Sequence, residues 1–229
     1  GVLSALRVTG GKLAEQTLLF MGAGEAATGI ADLTVSAMTA QGLGEAAARG
    51  RCWLFDSQGL VVAGRGELAE HKRPYAHAHA PAADFLAAVE ALKPTAIIGV
   101  AAVGGTFTRA VVEAMTRINP RPIVFALSNP TSKSECTAEQ AYAWSGGRAL
   151  YASGSPFDPV TLGGRSYVSR QGNNSYIFPG VGLGVLSAGV HQVTDGMFLA
   201  AARALAGMTD EKLLKEGLLF PPIDDIRRI

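Results

Sequence analysis

The feature that most constrains this chain is an apolar strand that leads directly into a glycine-rich turn at residues 22–27, Gly-Ala-Gly-Glu-Ala-Ala. The spacing is Gly-x-Gly-x-x-Ala, and an amphipathic helical pattern follows it. Gly22 permits a tight turn, Gly24 has no Cβ to obstruct a ligand, and Ala27 lets the helix pack closely on the sheet. The N–H groups at the start of that helix would face an anion. The turn therefore predicts a binding site for the pyrophosphate of a dinucleotide, with an ordinary strand-to-helix turn as the alternative.

Strand-like apolar runs alternate with helical patterns along the chain, which is typical of a parallel α/β sheet. We predict strands at residues 16–21, 52–55, 96–100, 123–127 and 149–152. We predict helices at residues 25–40, 82–92, 108–116, 138–144, 181–193, 196–205 and 210–216, with a short one around 45–49. Several strands are continuously apolar, as expected when helices cover both faces of the sheet. The pattern predicts one doubly wound, Rossmann-like domain over residues 1–229, with a C-terminal helical extension.

Composition argues against several classes of protein. The net charge of +1 gives no electrostatic case for nucleic acid or an anionic membrane as a partner. Cys52 and Cys136 form no CxxC pair, so we expect reduced, buried thiols and neither a disulfide nor a zinc site. No run of about 18 apolar residues is present, so we expect no membrane span. The chain opens at Gly1 on what reads as the interior of a helix, and we expect it to be part of a longer protein.

Candidate ligands for the adenosine half of a dinucleotide follow the second predicted strand. Asp56 ends that strand, where an acidic residue commonly hydrogen-bonds the ribose; Ser57 follows it, and Lys72 lies in a basic run soon after. An acid free to accept both ribose hydroxyls would favour NAD, whereas a cation and a small hydroxyl near the 2′-phosphate would favour NADP. The alternatives are a turn-capping aspartate and a solvated basic loop, and the local pattern alone favours the solvated loop.

Further candidates follow the later strands, because ligands of open α/β sheets lie at the carboxyl ends of the strands. Ala101 follows one strand and is a candidate cofactor contact, and Asn129 follows the next, where its amide could hold a nicotinamide or a substrate carboxylate. Asn173 and Asn174 precede an apolar helix and could bind a carboxylate without adding charge. The alternatives are an Asn-Pro turn for Asn129 and helix capping for the asparagine pair.

Four strings along the chain resemble a single family. They are Gly-Ala-Gly-Glu-Ala-Ala at 22–27, Ala-Leu-Ser-Asn-Pro-Thr-Ser at 126–132, Ala-Ser-Gly-Ser-Pro-Phe-Asp-Pro-Val at 152–160, and Gln-Gly-Asn-Asn-Ser-Tyr-Ile-Phe-Pro-Gly at 171–180. In content, order and spacing they resemble the C-terminal, NAD(P)-binding portion of malic enzymes of the large-subunit, eukaryotic type. The resemblance covers essentially the whole chain. It implies oxidative decarboxylation of L-malate to pyruvate and CO2, with NAD or NADP and a divalent Mg or Mn ion.

The resemblance also implies roles for individual residues. The pyrophosphate turn matches Gly22, Gly24, Glu25, Ala26 and Ala27; the adenosine ribose region matches Asp56 and Ser57; the amides that orient malate and the nicotinamide match Asn129 and Asn173 or Asn174. Lys72 falls where NADP-preferring members carry a lysine for the 2′-phosphate, and together with Ser57 it favours NADP. The family's general base, general acid and metal carboxylates lie upstream of the segment that matches Gly1. We therefore assign no catalytic and no metal-binding residue to this chain.

Two other interpretations compete with this one. A stand-alone dinucleotide-binding or regulatory module would need no chemistry of its own, and another two-domain dehydrogenase, such as an amino-acid dehydrogenase, would share the fold. The strings at 126–132 and 171–180 argue against the second. The favoured interpretation implies malate and pyruvate as small-molecule partners, neither nucleic acid nor membrane, and a homo-oligomeric full-length enzyme in the cytoplasm or an organelle matrix. It also implies that the isolated chain is inactive.

Overall fold

The computed structural model describes residues 1–228. Its strands are β1 (Leu18–Met21), β2 (Cys52–Asp56), β3 (Gly59–Leu60), β4 (Ala96–Gly99), β5 (Ile123–Ala126), β6 (Leu150–Ser153), β7 (Val160–Leu162), β8 (Arg165–Tyr167) and β9 (Arg170–Gln171). Its α-helices are α1 (Val2–Thr9), α2 (Glu25–Thr39), α3 (Glu45–Arg49), α4 (Phe85–Leu92), α5 (Arg109–Ile118), α6 (Ala138–Ser145), α7 (Phe178–Ala188), α8 (Asp195–Met208) and α9 (Glu211–Lys215). Short 3₁₀ turns connect several of them.

A seven-stranded sheet forms the centre of the molecule, in the order β3-β2-β1-β4-β5-β6-β9. Every neighbouring pair is parallel except β2 with β3, which form an antiparallel hairpin. The chain passes from β1 outward to β2 and then returns to add β4 on the other side of β1. This reversal is the topological switch point at which open α/β sheets bind ligands. The predicted doubly wound parallel sheet is confirmed.

The apolar strand residues divide between two buried layers, because successive side chains point to opposite faces. Leu18 and Phe20 of β1 pack on the face covered by α1, α2 and α8, and Leu19 and Met21 pack on the face covered by α4, α5 and α6. Leu18, Leu19 and Phe20 are fully buried. The continuous apolar runs of the sequence thus reflect a sheet that is covered on both sides.

The predicted C-terminal helical extension is confirmed as α7, α8 and α9, but both boundaries of the helix predicted at 181–193 are wrong. The helix predicted at 181–193 begins at Phe178 and ends at Ala188, where Gly189 adopts a left-handed conformation with φ 60°. Val190 and Val193 prolong the apolar pattern beyond this cap without prolonging the helix. No helix within residues 1–228 has the length and apolar content needed to cross a bilayer.

The two cysteines are buried and unpaired, as predicted. Burial raises the pKa of the Cys52 thiol to about 12, and it also raises the pKa of Cys136. Since the thiolate is the reactive form, we expect both cysteines to react much more slowly with a disulfide reagent in the folded chain than in the unfolded chain. Release of the chromophore of such a reagent, with and without denaturant, measures this directly. Rapid labelling of the folded chain would contradict the packing described here.

Candidate dinucleotide site

The carboxyl ends of the parallel strands bring the predicted site residues to one edge of the sheet. Residue 22 follows β1, Asp56 ends β2, Ala101 lies just beyond β4, and Asn129 lies just beyond β5. The residues after β9 join the same edge, since the Gly172 N–H donates to the carbonyl oxygen of Ser153 at 2.8 Å. Residues that are more than 100 positions apart in sequence therefore lie along one edge of the sheet.

The glycine-rich turn has the form that its sequence predicts. Gly22 has a φ of 131°, and a Cβ at this position would lie 3.2 Å from the backbone carbonyl of Val100. Only glycine adopts this conformation at such close approach to a neighbouring strand without strain. Ala27 is 1% exposed and packs against the sheet, as expected of the third small residue of the motif.

The start of α2 is open to a ligand. Gly24 is the N-cap residue, no side chain caps the helix there, and a Cβ at Gly24 would meet nothing within 4 Å. Glu25 and Ala26 in the first turn are also exposed. The N–H groups of a first turn have no partner within the helix, and the helix dipole makes this end positive. The turn therefore offers an open, anion-attracting surface.

Asp56 is the centre of an ion cluster at the end of β2. Arg65 binds it in a bidentate manner, with Nη1 at 2.9 Å from Oδ1 and Nη2 at 3.2 Å from Oδ2. The Nζ atom of Lys72 donates to Oδ2 at 2.6 Å, and the Gln58 N–H donates to Oδ1 at 2.9 Å. The carboxylate is 11% exposed, and the side chains of Arg65 and Lys72 are 14% and 21% exposed. Lys72 is thus paired and half-buried, whereas His71 and Arg73 of the same basic run are exposed, as the solvated-loop alternative expects.

Hydrogen bonds from Arg65 and Lys72 hold the pKa of the Asp56 carboxyl below its ordinary value, against the opposing effect of burial. A lowered pKa in the folded state stabilises the fold above the unfolded-state pKa of about 4, and this contribution is lost as the pH falls through the folded-state pKa. We expect Asp56→Asn to lower the free energy of unfolding by about 2 kcal/mol at pH 7. Denaturant unfolding at several pH values would measure it. A difference between the variant and the wild type that persists unchanged at the lowest pH would contradict the account.

The basic loop is also tied to the glycine-rich turn. The Nε2 atom of His71 lies 3.0 Å from the carbonyl oxygen of Ala23. This contact places Lys72 beside the start of α2, so that the ion cluster and the open helix terminus form one continuous surface. A pocket lined by Gln58, Arg65, residues 66–69 and Arg73 adjoins the cluster. Ser57 is exposed next to it.

The asparagines lie further along the same edge, beyond the ends of β5 and β9. Asn129 is exposed, and its Oδ1 accepts a hydrogen bond from Ser155 Oγ at 2.9 Å, which leaves its NH2 group free to face a ligand. The Oδ1 of Asn173 accepts from the Ser175 N–H at 2.9 Å and caps a short 3₁₀ helix. Asn173 therefore does cap, whereas a role in ligand binding for Asn173, and for the exposed Asn174, stays a prediction.

Arg65 is not among the residues predicted from the sequence, although it binds the Asp56 carboxylate through both of its terminal nitrogens. The signal was present in the turn after β2, where Asp56-Ser-Gln-Gly59 reverses the chain into β3. The following residues first run back along β2, since the Val61 N–H donates to the Leu54 carbonyl oxygen at 2.8 Å, and a second turn, closed by the Arg65 N–H and the Val62 carbonyl oxygen at 3.1 Å, lets the Arg65 side chain reach Asp56. No group of three His, Cys, Asp or Glu residues that could hold a metal ion occurs in the part of the chain that the structure describes.

Comparison with known proteins gives a consistent result. The family model described as "Malic enzyme, NAD binding domain" matches residues 1–229. The chain is 53% identical to the NADP-dependent malic enzyme of Mus musculus, 52% to that of Homo sapiens and 51% to that of Populus trichocarpa. Each match covers 100% of this chain but 39–40% of the relative, so the chain spans about two fifths of the length of these proteins.

Solved structures show the same fold. The NAD-dependent malic enzyme of Thermotoga maritima superposes with a TM-score of 0.74 at 21% identity, over 99% of this chain and 52% of that one. The malic enzyme of Pyrococcus horikoshii superposes with a TM-score of 0.66 at 26% identity, over 96% of this chain and 46% of that one.

Proposed function

The chain belongs to the malic enzyme NAD-binding domain family, and from that premise we propose that it supplies the NADP site of an enzyme that oxidatively decarboxylates L-malate to pyruvate and CO2. The observation that carries the proposal is the cluster of Asp56, Arg65 and Lys72 beside the open start of α2. A helix terminus suited to a pyrophosphate and a cationic cluster suited to a further phosphate lie on one surface.

The pyrophosphate would bind to the backbone of Gly24, Glu25 and Ala26, whose N–H groups begin α2. Gly22 and Ala27 would act indirectly, since the first shapes the turn and the second seats the helix on the sheet. The contact between His71 and Ala23 would hold the basic loop, which carries Lys72, next to the glycine-rich turn. A dinucleotide held in this way would supply the hydride acceptor for the oxidation of malate.

The charge balance of the cluster supports NADP over NAD. One carboxylate and two cations leave a net charge of +1, which suits an additional phosphate. The N–H groups of Arg65 Nη1 and Nη2 already donate hydrogen bonds to Asp56, Gln58 and Gly59. The ammonium group of Lys72 retains N–H donors beyond the one directed at Asp56. Lys72 is therefore the proposed ligand of the 2′-phosphate, with Ser57 beside it.

The acceptor sites of Asp56 are engaged by Arg65, Lys72 and Gln58. An NAD site would need this carboxylate free for both ribose hydroxyls. We propose that Asp56 instead orders the two cations around the adenosine ribose.

Further along this edge of the sheet, Ala101 and Asn129 would contact the nicotinamide, and Asn129 with Asn173 or Asn174 would orient malate. We propose that the general acid, the general base and the Mg or Mn ligands lie elsewhere in a longer enzyme, of which residues 1–229 form the cofactor domain. The metal would polarise the malate hydroxyl as a Lewis acid. We further propose that the full-length enzyme is a homo-oligomer, which light scattering on that protein would test.

The activity is tested on the full-length protein. We expect malate-dependent formation of NADPH in the presence of Mn or Mg, followed by absorbance, with a lower rate when NAD replaces NADP. The isolated 229-residue chain is the matched control, and we expect it to show no turnover. Absence of malate-dependent reduction of either cofactor by the full-length protein would overturn the proposed reaction, and turnover by the isolated chain would overturn the assignment of the acid, base and metal ligands to another part of the enzyme.

A further inference from the structure

Glu135 is a buried carboxylate that the proposed site does not use. It is 0% exposed and lies just beyond the 3₁₀ turn that follows β5. A Cβ on Gly99, the last residue of β4, would lie 2.2 Å from the Glu135 Cδ atom. Gly99 therefore makes room for this carboxylate at the carboxyl end of a central strand. Among the side chains that the structure describes in residues 1–226, no lysine or arginine forms an ion pair with it.

The carboxylate joins the two loops that follow β4 and β5. Ser128 donates its hydroxyl to Glu135 Oε1 at 2.5 Å and its N–H to Oε2 at 3.3 Å. The Ser128 Oγ atom in turn accepts from the Ala102 N–H at 2.9 Å. Burial raises the pKa of the Glu135 carboxyl above its ordinary value, and the hydrogen bonds from Ser128 and Ala101 offset only part of this increase.

Backbone carbonyl groups next to Glu135 also bind the loop that follows β4. The Phe107 N–H donates to the Glu135 carbonyl oxygen at 3.0 Å, and the Gly105 N–H donates to the Ser134 carbonyl oxygen at 3.1 Å. Within this loop Ala102 has a φ of 55°, a left-handed conformation that is unfavourable for alanine. A non-glycine residue keeps this backbone conformation only where the surrounding structure fixes it, and such residues cluster at ligand sites.

We infer that Glu135 is a positioning residue, which holds the loops carrying Ala101 and Asn129 in the arrangement that receives the nicotinamide half of the cofactor. The inference rests on the proposed function. Ser128 connects Glu135 to the loop after β4, because it donates two hydrogen bonds to Glu135 and accepts one from the Ala102 N–H in that loop. Glutamine at position 135 has nearly the same size, but it replaces one acceptor with an NH2 group that would face the donors of Ser128.

The test compares two ligands on the wild-type chain and on Glu135→Gln. Adenosine 2′,5′-bisphosphate occupies only the adenosine side of the site, whereas NADPH extends to the nicotinamide side. We expect Glu135→Gln to weaken NADPH binding about tenfold, as for the loss of one hydrogen bond to a charged group, and to leave binding of the bisphosphate unchanged. The fluorescence of bound NADPH should also change, since it reports the surroundings of the nicotinamide. Glu139→Gln, on the exposed first turn of α6, is the control and should change neither ligand.

Ser128→Ala keeps the carboxylate and removes the bridging hydroxyl, so we expect it to show the same selective loss. NADPH affinity equal to the wild type in both variants would overturn the inference, and so would an equal loss of both ligands, which would indicate a purely structural role. Failure of the wild-type chain to bind the bisphosphate is a distinct result, because it would overturn the proposed function on which the inference rests.

Discussion

Gly24→Val is expected to weaken NADPH binding by at least about 100-fold while leaving the fold intact. A Cβ at Gly24 meets no protein atom within 4 Å, and the backbone there is extended, so valine fits the free chain. The added side chain would occupy the space next to the first N–H groups of α2, where the pyrophosphate is proposed to lie. Fluorescence titration with NADPH measures the loss, and thermal unfolding verifies that the chain is folded.

Gly44→Val provides a matched control for this variant. Gly44 is also an N-cap glycine with extended backbone and open space around its Cβ position, but it begins α3 instead of α2. Both substitutions place the same unfavourable residue at a helix N-cap, so their effects on stability should be similar. Only Gly24→Val should affect NADPH. Equal NADPH affinities for the two variants would contradict the placement of the pyrophosphate.

Lys72→Ala is expected to weaken NADPH binding by about 10- to 100-fold, the effect of losing a hydrogen bond between charged groups. Binding of NADH should stay nearly unchanged, because NADH lacks the 2′-phosphate that this ammonium group is proposed to contact. Asp56 would keep its bidentate contact with Arg65, so the end of β2 should remain ordered. Parallel titrations of the wild type and the variant with both cofactors measure the difference.

Lys215→Ala, at the end of α9, removes an exposed lysine of the same charge far along the chain and controls for net charge. An equal loss of NADPH and NADH in Lys72→Ala would show that the lysine supports the loop without selecting the cofactor. Any preference of the chain for NADPH over NADH would then depend on another group.

The sheet could be predicted because its signals are local. Apolar strands of four or five residues, bounded by glycines and polar turns, give β1, β2, β4, β5 and β6 directly, and α3 accounts for the long separation between Gly22 and Asp56. The short strands β3, β7, β8 and β9 escaped prediction because they carry two or three residues each and little apolar pattern. These strands form only by pairing with another strand, β3 with β2 and β7 with β8 across tight turns, and β9 with β6 across a longer connection.

The site was predictable where a motif names its residues. The glycine-rich turn indicates Gly22 and Gly24 by their spacing, whereas the contact between Lys72 and Asp56 depends on how the loop folds back over the sheet. Glu135 gave no sequence signal at all, since a glutamate in a polar segment is usually exposed. Only the structure reveals that Gly99 leaves space for its side chain.

The most direct test of the central claim is a fluorescence titration of the purified 229-residue chain with NADPH and, separately, with NADH. We expect NADPH to bind, and to bind more tightly than NADH, because of the cationic cluster at the end of β2. Tighter binding of NADH would contradict the assignment of the cluster to a 2′-phosphate. Binding of neither cofactor would contradict the claim that this edge of the sheet, as the chain folds it, forms a dinucleotide site.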